Sequence, residues 1–208
     1  MKKYFIFALA AAFAFVACQQ DPEVTRDEET NQNQEGNQEG NQEQTGDDLM
    51  TTLCINEVCG VVGSKGIELY NPTAAEISLE GVAIYKNEAE TATWTGDADA
   101  KIASKGYFVI TSKKEFDDIA SVANAKAADS FSPSKSLILV LKGKDGNVLD
   151  TFERGWAKNG NAEVALPTAE GSFARTADAK KEWKVLAITM GKTNNGANVI
   201  GDISVDPE

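Results

Sequence analysis

The sequence predicts an all-β chain: an antiparallel β-sandwich with one short helix, preceded by a leader and a disordered tether. Three observations predict it. Between Leu49 and Leu186 about nine short apolar or alternating runs follow one another at fairly regular spacing, separated by Gly, Asn, Asp and Pro turn signals. Only one stretch, Phe116, Ile119, Ala120 and Ala123, has helical spacing. The 208 residues make room for one ordinary domain plus appendages. Strands of this kind pair into two sheets whose inner faces share one core.

The chain opens with Met1-Lys2-Lys3 and an apolar run from Tyr4 to Ala17. That run is too short for a comfortable membrane span and fits a secretory leader. It ends Phe15-Val16-Ala17-Cys18, which resembles the lipobox of bacterial lipoproteins, although Phe15 stands where an aliphatic residue is usual. The resemblance implies cleavage before Cys18, acylation of that cysteine and a lipid anchor in the outer membrane. An ordinary leader with a chance Cys18 is the alternative. The following Gln19-Gln20-Asp21-Pro22-Glu23 resembles the surface-export signal of Bacteroidetes lipoproteins, which implies exposure on the cell surface. Periplasmic and surface orientations both stay open at this point.

Residues 19–48 read as a tether: Asn33-Gln34-Glu35-Gly36 repeats as Asn37-Gln38-Glu39-Gly40 and nearly again as Asn41-Gln42-Glu43-Gln44. Nothing in it can form a core, so disorder is expected, with a mean reach of roughly 30 Å. The expected organisation is therefore a leader over 1–17, the lipidated cysteine and linker over 18–48, a sandwich over 49–195 and a polar tail over 196–208.

Within the sandwich, Leu53, Ile55 and Val58 mark a first strand. Ile67 and Leu69 alternate with Glu68 and Tyr70, and Asn71-Pro72 ends that second strand. Ile77 and Leu79 differ in parity from Val82 and Ile84, so a bulge or bend is expected at Glu80-Gly81. Trp94 sits in a short strand from Ala92 to Thr95. Tyr107 to Ile110 and Leu137 to Leu141 are apolar on both faces, as internal strands are. Between them Ser112 and Glu115 form a capping box for a helix over 113–122. Lys144-Asp145-Gly146-Asn147 is a hairpin turn returning through Val148 to Phe152. Ser172 to Arg175 and Trp183 to Leu186 are late strands, and from Thr193 the chain reads as a loosely held end.

These residues resemble the lamin tail domain family. Ile55-Asn56-Glu57-Val58, Ile67 to Thr73 and Leu79-Glu80-Gly81 resemble its opening strands. Gly106 to Ile110 resembles its middle strand and Asp145 to Asp150 its later hairpin. Ser172 to Arg175, Trp183 and Thr189-Met190-Gly191-Lys192-Thr193-Asn194 resemble its closing motifs. The likeness runs over roughly residues 52–195. It departs at Met190, where a proline is usual, and at Val82, where an aromatic residue is usual; the closing turn is expected to differ accordingly. The resemblance implies an immunoglobulin-like sandwich and a binding or scaffolding role, and it carries over no catalytic residue.

Charge and composition bear on function. The formal net charge is −12, and loss of Lys2 and Lys3 with the leader takes it to −14. Without a visible basic patch, this balance disfavours nucleic acid as a partner. The chain contains no histidine, which removes Ser-His-Asp and Cys-His nucleophiles and His-ligated zinc. Cys54 and Cys59 read as two small core residues, with a disulfide across a turn as the alternative. Asp97 and Asp99 have calcium-loop spacing without the remaining ligands. No metal or cofactor is expected. Glu57, Glu68 and Asp150 read as structural strand acids, with Glu57 and Glu68 the pair to examine for carboxylate-based hydrolysis. Trp94 and Trp156 are candidate ligand contacts, with core packing the alternative for each.

The reading that results is a lipid-anchored, non-enzymatic envelope protein whose domain binds, scaffolds or adheres. Its partners are the membrane, through acylated Cys18, and an envelope or extracellular protein or glycan. A carboxylate-based accessory domain of a hydrolase system, or a nucleic-acid binder, is the alternative.

Overall fold

The computed structural model describes residues 48–133, 137–154 and 171–201. Cys18, the tether up to 47 and Trp156 lie outside the described residues. Thirteen strands are described: β1 (Cys54–Cys59), β2 (Gly66–Tyr70), β3 (Ile77–Ser78), β4 (Ala83–Lys86), β5 (Trp94–Thr95), β6 (Lys101–Ile102), β7 (Tyr107–Thr111), β8 (Ala125–Lys126), β9 (Leu137–Lys142), β10 (Val148–Arg154), β11 (Gly171–Arg175), β12 (Trp183–Ala187) and β13 (Val199–Gly201). A seven-stranded sheet has the order β13-β12-β11-β1-β2-β7-β8, and a four-stranded sheet the order β10-β9-β4-β5. A two-stranded ribbon pairs β3 with β6. The pairings are antiparallel apart from β7 with β8, which is parallel. This is the all-β sandwich that the strand spacing predicts.

Alternation places the core. Ile55, Val58, Ile67, Leu69, Phe108 and Ile110 of the large sheet meet Ile84, Leu137, Leu139, Leu141 and Phe152 of the small sheet in one cluster. Phe152 stacks edge-on against Trp183 at 5.2 Å and packs on Phe173 at 5.8 Å, so the aromatic residues of both sheets interlock. Residues of opposite parity point to the outer face of the large sheet. There Cys59, Val109, Ile119 and Met190 form a second small cluster, and Cys54, Tyr70 and Ala179 a third. Both cysteines are buried and free; burial pushes each thiol up to about 12.

The register of β1 is irregular where it matters. Its pairing with β2 shifts between Ile55 and Glu57, so Asn56 and Glu57 both face outward while Ile55 and Val58 stay in the core. The expected irregularity at Glu80-Gly81 is a bend at which the chain changes sheets, from β3 in the ribbon to β4 in the four-stranded sheet. Gly81 makes it at φ +74, where a side chain would be strained.

Two expectations need correction. The helix over 113–122 is a six-residue 3-10 turn, Asp117–Val122, entered at Phe116 without a side-chain cap. Glu115 lies at φ 62, so it cannot stand at the third helical position, and Ser112 Oγ accepts from Phe131 N instead. The loose end expected from Thr193 is held: Asn194 is fully buried and β13 extends the large sheet to Gly201. Its polar composition was misleading because Asn194 spends its amide on the carbonyls of Asn56 and Arg175.

Asp150 joins the sheets. The β9–β10 pairing shifts between Val148 and Asp150. Asp150 Oδ2 accepts from Ile55 N at 2.8 Å and from Arg175 Nη2 at 2.8 Å. Arg175 also donates through Nε to Ile55 O and through Nη1 to Lys180 O. The side chains of Arg175 and Asp150 are only 3% and 8% exposed. Removing one partner would strand a buried charge. Asp150→Ala should therefore cost about 3–5 kcal/mol in a urea unfolding curve.

Candidate functional site

Two carboxyl groups lie beside one another on the outer face of the large sheet. Glu57 on β1 is the cross-strand partner of Glu68 on β2, and both residues are 0% exposed. Like charges in that position repel, and burial compounds the cost. What covers them is the chain segment after β12, above all Thr189 to Asn194.

That segment begins with a turn: Lys192 N donates to Thr189 O, and Gly191 sits at φ +78. A positive φ at the third position is the signature of a type II turn, in which proline is favoured at the second. Met190 occupies that second position and buries its side chain on Cys59, Val109 and Ile119. The turn thus survives the departure from proline, because Gly191 supplies its essential conformation.

The donors around each acid are distinct. Glu57 Oε1 accepts from Ser172 Oγ at 2.5 Å and from Thr189 N at 3.1 Å, and its Oε2 lies 2.6 Å from Thr189 Oγ1. Glu68 Oε1 accepts from Asn56 Nδ2 at 2.9 Å, and Oε2 from Gly191 N at 2.6 Å. Asp178 completes the network. It accepts from Asn56 Nδ2 and Asn194 N on one oxygen, and from Tyr107 Oη and Thr193 Oγ1 on the other. Burial raises the Glu57 carboxyl above the ordinary carboxylate range despite the hydrogen bonds from Ser172 and Thr189. Burial first, and the neighbouring Glu57 second, push Glu68 up to about 9. Burial and the bond to Asp178 raise the Tyr107 hydroxyl.

The expected pair is therefore brought together but sealed from solvent, and Asp150 stands apart with Arg175. Trp94 is 7% exposed and packs on Phe108 at 5.5 Å, chiefly as a core residue. One side of it still lines a cleft of about 340 Å³ with Phe108, Asp97, Asp99, Lys101 and Asn124. The cleft lies where β5 and β8, edge strands of the two sheets, approach each other, and Ala128 N donating to Thr93 O stitches the edges together. Asp97 spends Oδ1 on the backbone N–H groups of Asp99 and Ala100, which makes it a turn-former. Among the described residues, no group of three or more His, Cys, Asp or Glu is placed to hold a metal ion.

Asn56, Ser172, Asp178, Thr189 and Asn194 were not anticipated as partners of the acids. The one available signal was the polar cluster Thr189 to Asn194 set so close after an apolar strand.

Residues 50–176 match the family model for the Lamin Tail Domain. No curated protein matches the chain. The match stops at Thr176, short of the Thr189–Asn194 segment and of β12 and β13.

Two outcomes follow from the geometry. Gly191→Ala would force a side chain into a left-handed conformation, with its Cβ 3.0 Å from that of Val122, and should cost about 1–2 kcal/mol in thermal or urea unfolding. The raised acids also set the sign of the pH dependence. An unfolded chain releases its carboxyl protons from about pH 4.5, while the folded, coupled pair holds on to a proton toward about 9. The contribution is thus full below pH 4.5 and declines up to about 9, by at most about 1.4 kcal/mol per pH unit for each proton, as a urea midpoint series will reveal.

Proposed function

Because the chain belongs to the lamin tail domain family, we propose that it is a non-enzymatic binding or scaffolding module of the bacterial envelope, carried on the outer membrane by acyl chains on Cys18. The observation that carries this reading is the sealing of the acid pair. Hydrolysis by paired carboxyls needs both groups at a substrate and room for water between them. Glu57 and Glu68 are 0% exposed and their oxygens are all hydrogen-bonded within the protein. These acids hold a fold together.

Contact with a partner then falls to the surface. The cleft beside Trp94 offers an aromatic floor from Trp94 and Phe108 and a polar rim from Asp99, Lys101 and Asn124. Its volume, about 340 Å³, lies near the low end of ordinary ligand pockets. A small polar epitope of an envelope protein or glycan fits that description. The net charge of −12 opposes nucleic acid in the same place.

The test uses intact cells. Metabolic labelling with a fatty-acid analogue should mark the wild-type chain and leave Cys18→Ser unlabelled, and external protease should remove the domain if it faces the medium. A photo-cross-linker placed at Asp99 should trap a discrete partner that the same group at exposed Val62 does not. Labelling that survives Cys18→Ser, or no adduct specific to the cleft, would overturn the proposal.

A further inference from the structure

The hydrogen-bond network over the acid pair can be solved for its protons. Asn194 donates through Nδ2 to Asn56 O at 3.1 Å and to Arg175 O at 3.0 Å, which fixes its amide with Oδ1 as acceptor. Thr189 Oγ1 lies 2.6 Å from that Oδ1 and also 2.6 Å from Glu57 Oε2. A hydroxyl has one proton. If Thr189 gives it to Asn194, which cannot return one, the short contact to Glu57 needs a proton from the other side. That proton belongs to Glu57. Its other oxygen, Oε1, is the carbonyl end and accepts from Ser172 and from Thr189 N. Glu68 is the opposite case. Asn56 Oδ1 accepts from Ala179 N, so Asn56 Nδ2 must be the donor to Glu68 Oε1, and Gly191 N donates to Oε2. Thr189 N also reaches Glu57 Oε2 at 3.3 Å, so donors face both acids. What differs is that the partners of Glu68 can only donate, whereas Thr189 Oγ1 can accept. Of the coupled pair, both raised by burial, Glu57 is therefore the one with a place for its proton.

We propose that Glu57 is a neutral acid that donates its proton to the Thr189 hydroxyl, and that this relay through Thr189 to Asn194 latches the closing segment over the outer face of the large sheet. Loss of the proton leaves Thr189 Oγ1 with one hydrogen for two acceptors and sets a charge beside Glu68, so the segment is released as the solution turns alkaline. The titratable and charged groups around the latch come from every neighbouring element. Glu68 and Tyr70 stand on β2, Cys59 on β1, Tyr107 on β7, Asp178 in the connection between β11 and β12, and Lys184 on β12 in the cross-strand row that runs from Glu57 through Ala174. Burial raises Glu57 and Glu68 alike, so the assignment between them rests on the hydrogen-bond partners.

The test is a pair of isosteric substitutions in the full-length chain. A glutamine at 57 copies a neutral acid: its carbonyl can face Ser172 and its amide can donate to Thr189. A glutamine at 68 turns an N–H toward an N–H. Glu57→Gln should shift the folding equilibrium by less than tenfold and flatten the fall of stability with rising pH. Glu68→Gln should lower that equilibrium on the order of tenfold to a hundredfold. Infrared spectra at neutral pH should contain a protonated-carboxyl band that Glu57→Gln removes. Thr189→Ser should keep the latch, and Thr189→Val should weaken it like a lost buried hydrogen bond. A band that persists in Glu57→Gln, a Glu57→Gln chain that fails to fold or is harmed as much as Glu68→Gln, or equal stability of the Ser and Val variants would each overturn the proposal.

Discussion

Two fully buried acids side by side on neighbouring strands are the constraint on which this domain is built. An isolated buried carboxylate is costly enough that a protein neutralises it or surrounds it with donors. Here both remedies come from one place. The segment from Thr189 to Asn194 supplies a hydroxyl, two backbone N–H groups and a fixed amide, and β11 adds the Ser172 hydroxyl. The outer face of the large sheet can be polar at its centre only because that segment lies on it. Apolar residues at its margins, Met190 on one side and Ala179 on the other, finish the cover.

A second polar tie works between the layers. Arg175 and Asp150 reach across from β11 to β10 and close on both backbone groups of Ile55, next to the bulge that turns Asn56 and Glu57 outward. The irregular point of β1 is thus held from the core side by an ion pair and from the outer side by the acid network. A bulge leaves ladder groups without strand partners, and these side chains take their place. The domain spends these polar side chains on its own construction.

Much of this was legible in the residues. The alternation of Ile67 and Leu69 with Glu68 gave the acid the parity opposite to the core residues, and the parity switch between Leu79 and Val82 foretold the bend at Gly81, though not that the chain changes sheets there. What stayed hidden was non-local. Asn56 and Glu57 share a face only because of a bulge, which period-two reading cannot detect without the partner strand. The helix over 113–122 failed for a related reason. Its apolar spacing was real, and Ile119 is buried, but Asp118 N bonds Gly63 O and Glu115 is left-handed, so tertiary contacts set the local conformation. Asn194 looked like part of a free end because its partner Asn56 lies far back in the sequence.

That distance has a bearing on how the molecule comes into being. Glu57 meets Thr189 across 132 positions and Asn56 meets Asn194 across 138. During synthesis the first strand emerges early, yet its acid finds its proton acceptor only when nearly the whole polypeptide is available. Contacts of such long span make nucleation slow. A chain lacking the closing segment would carry two unshielded acids on its central strands.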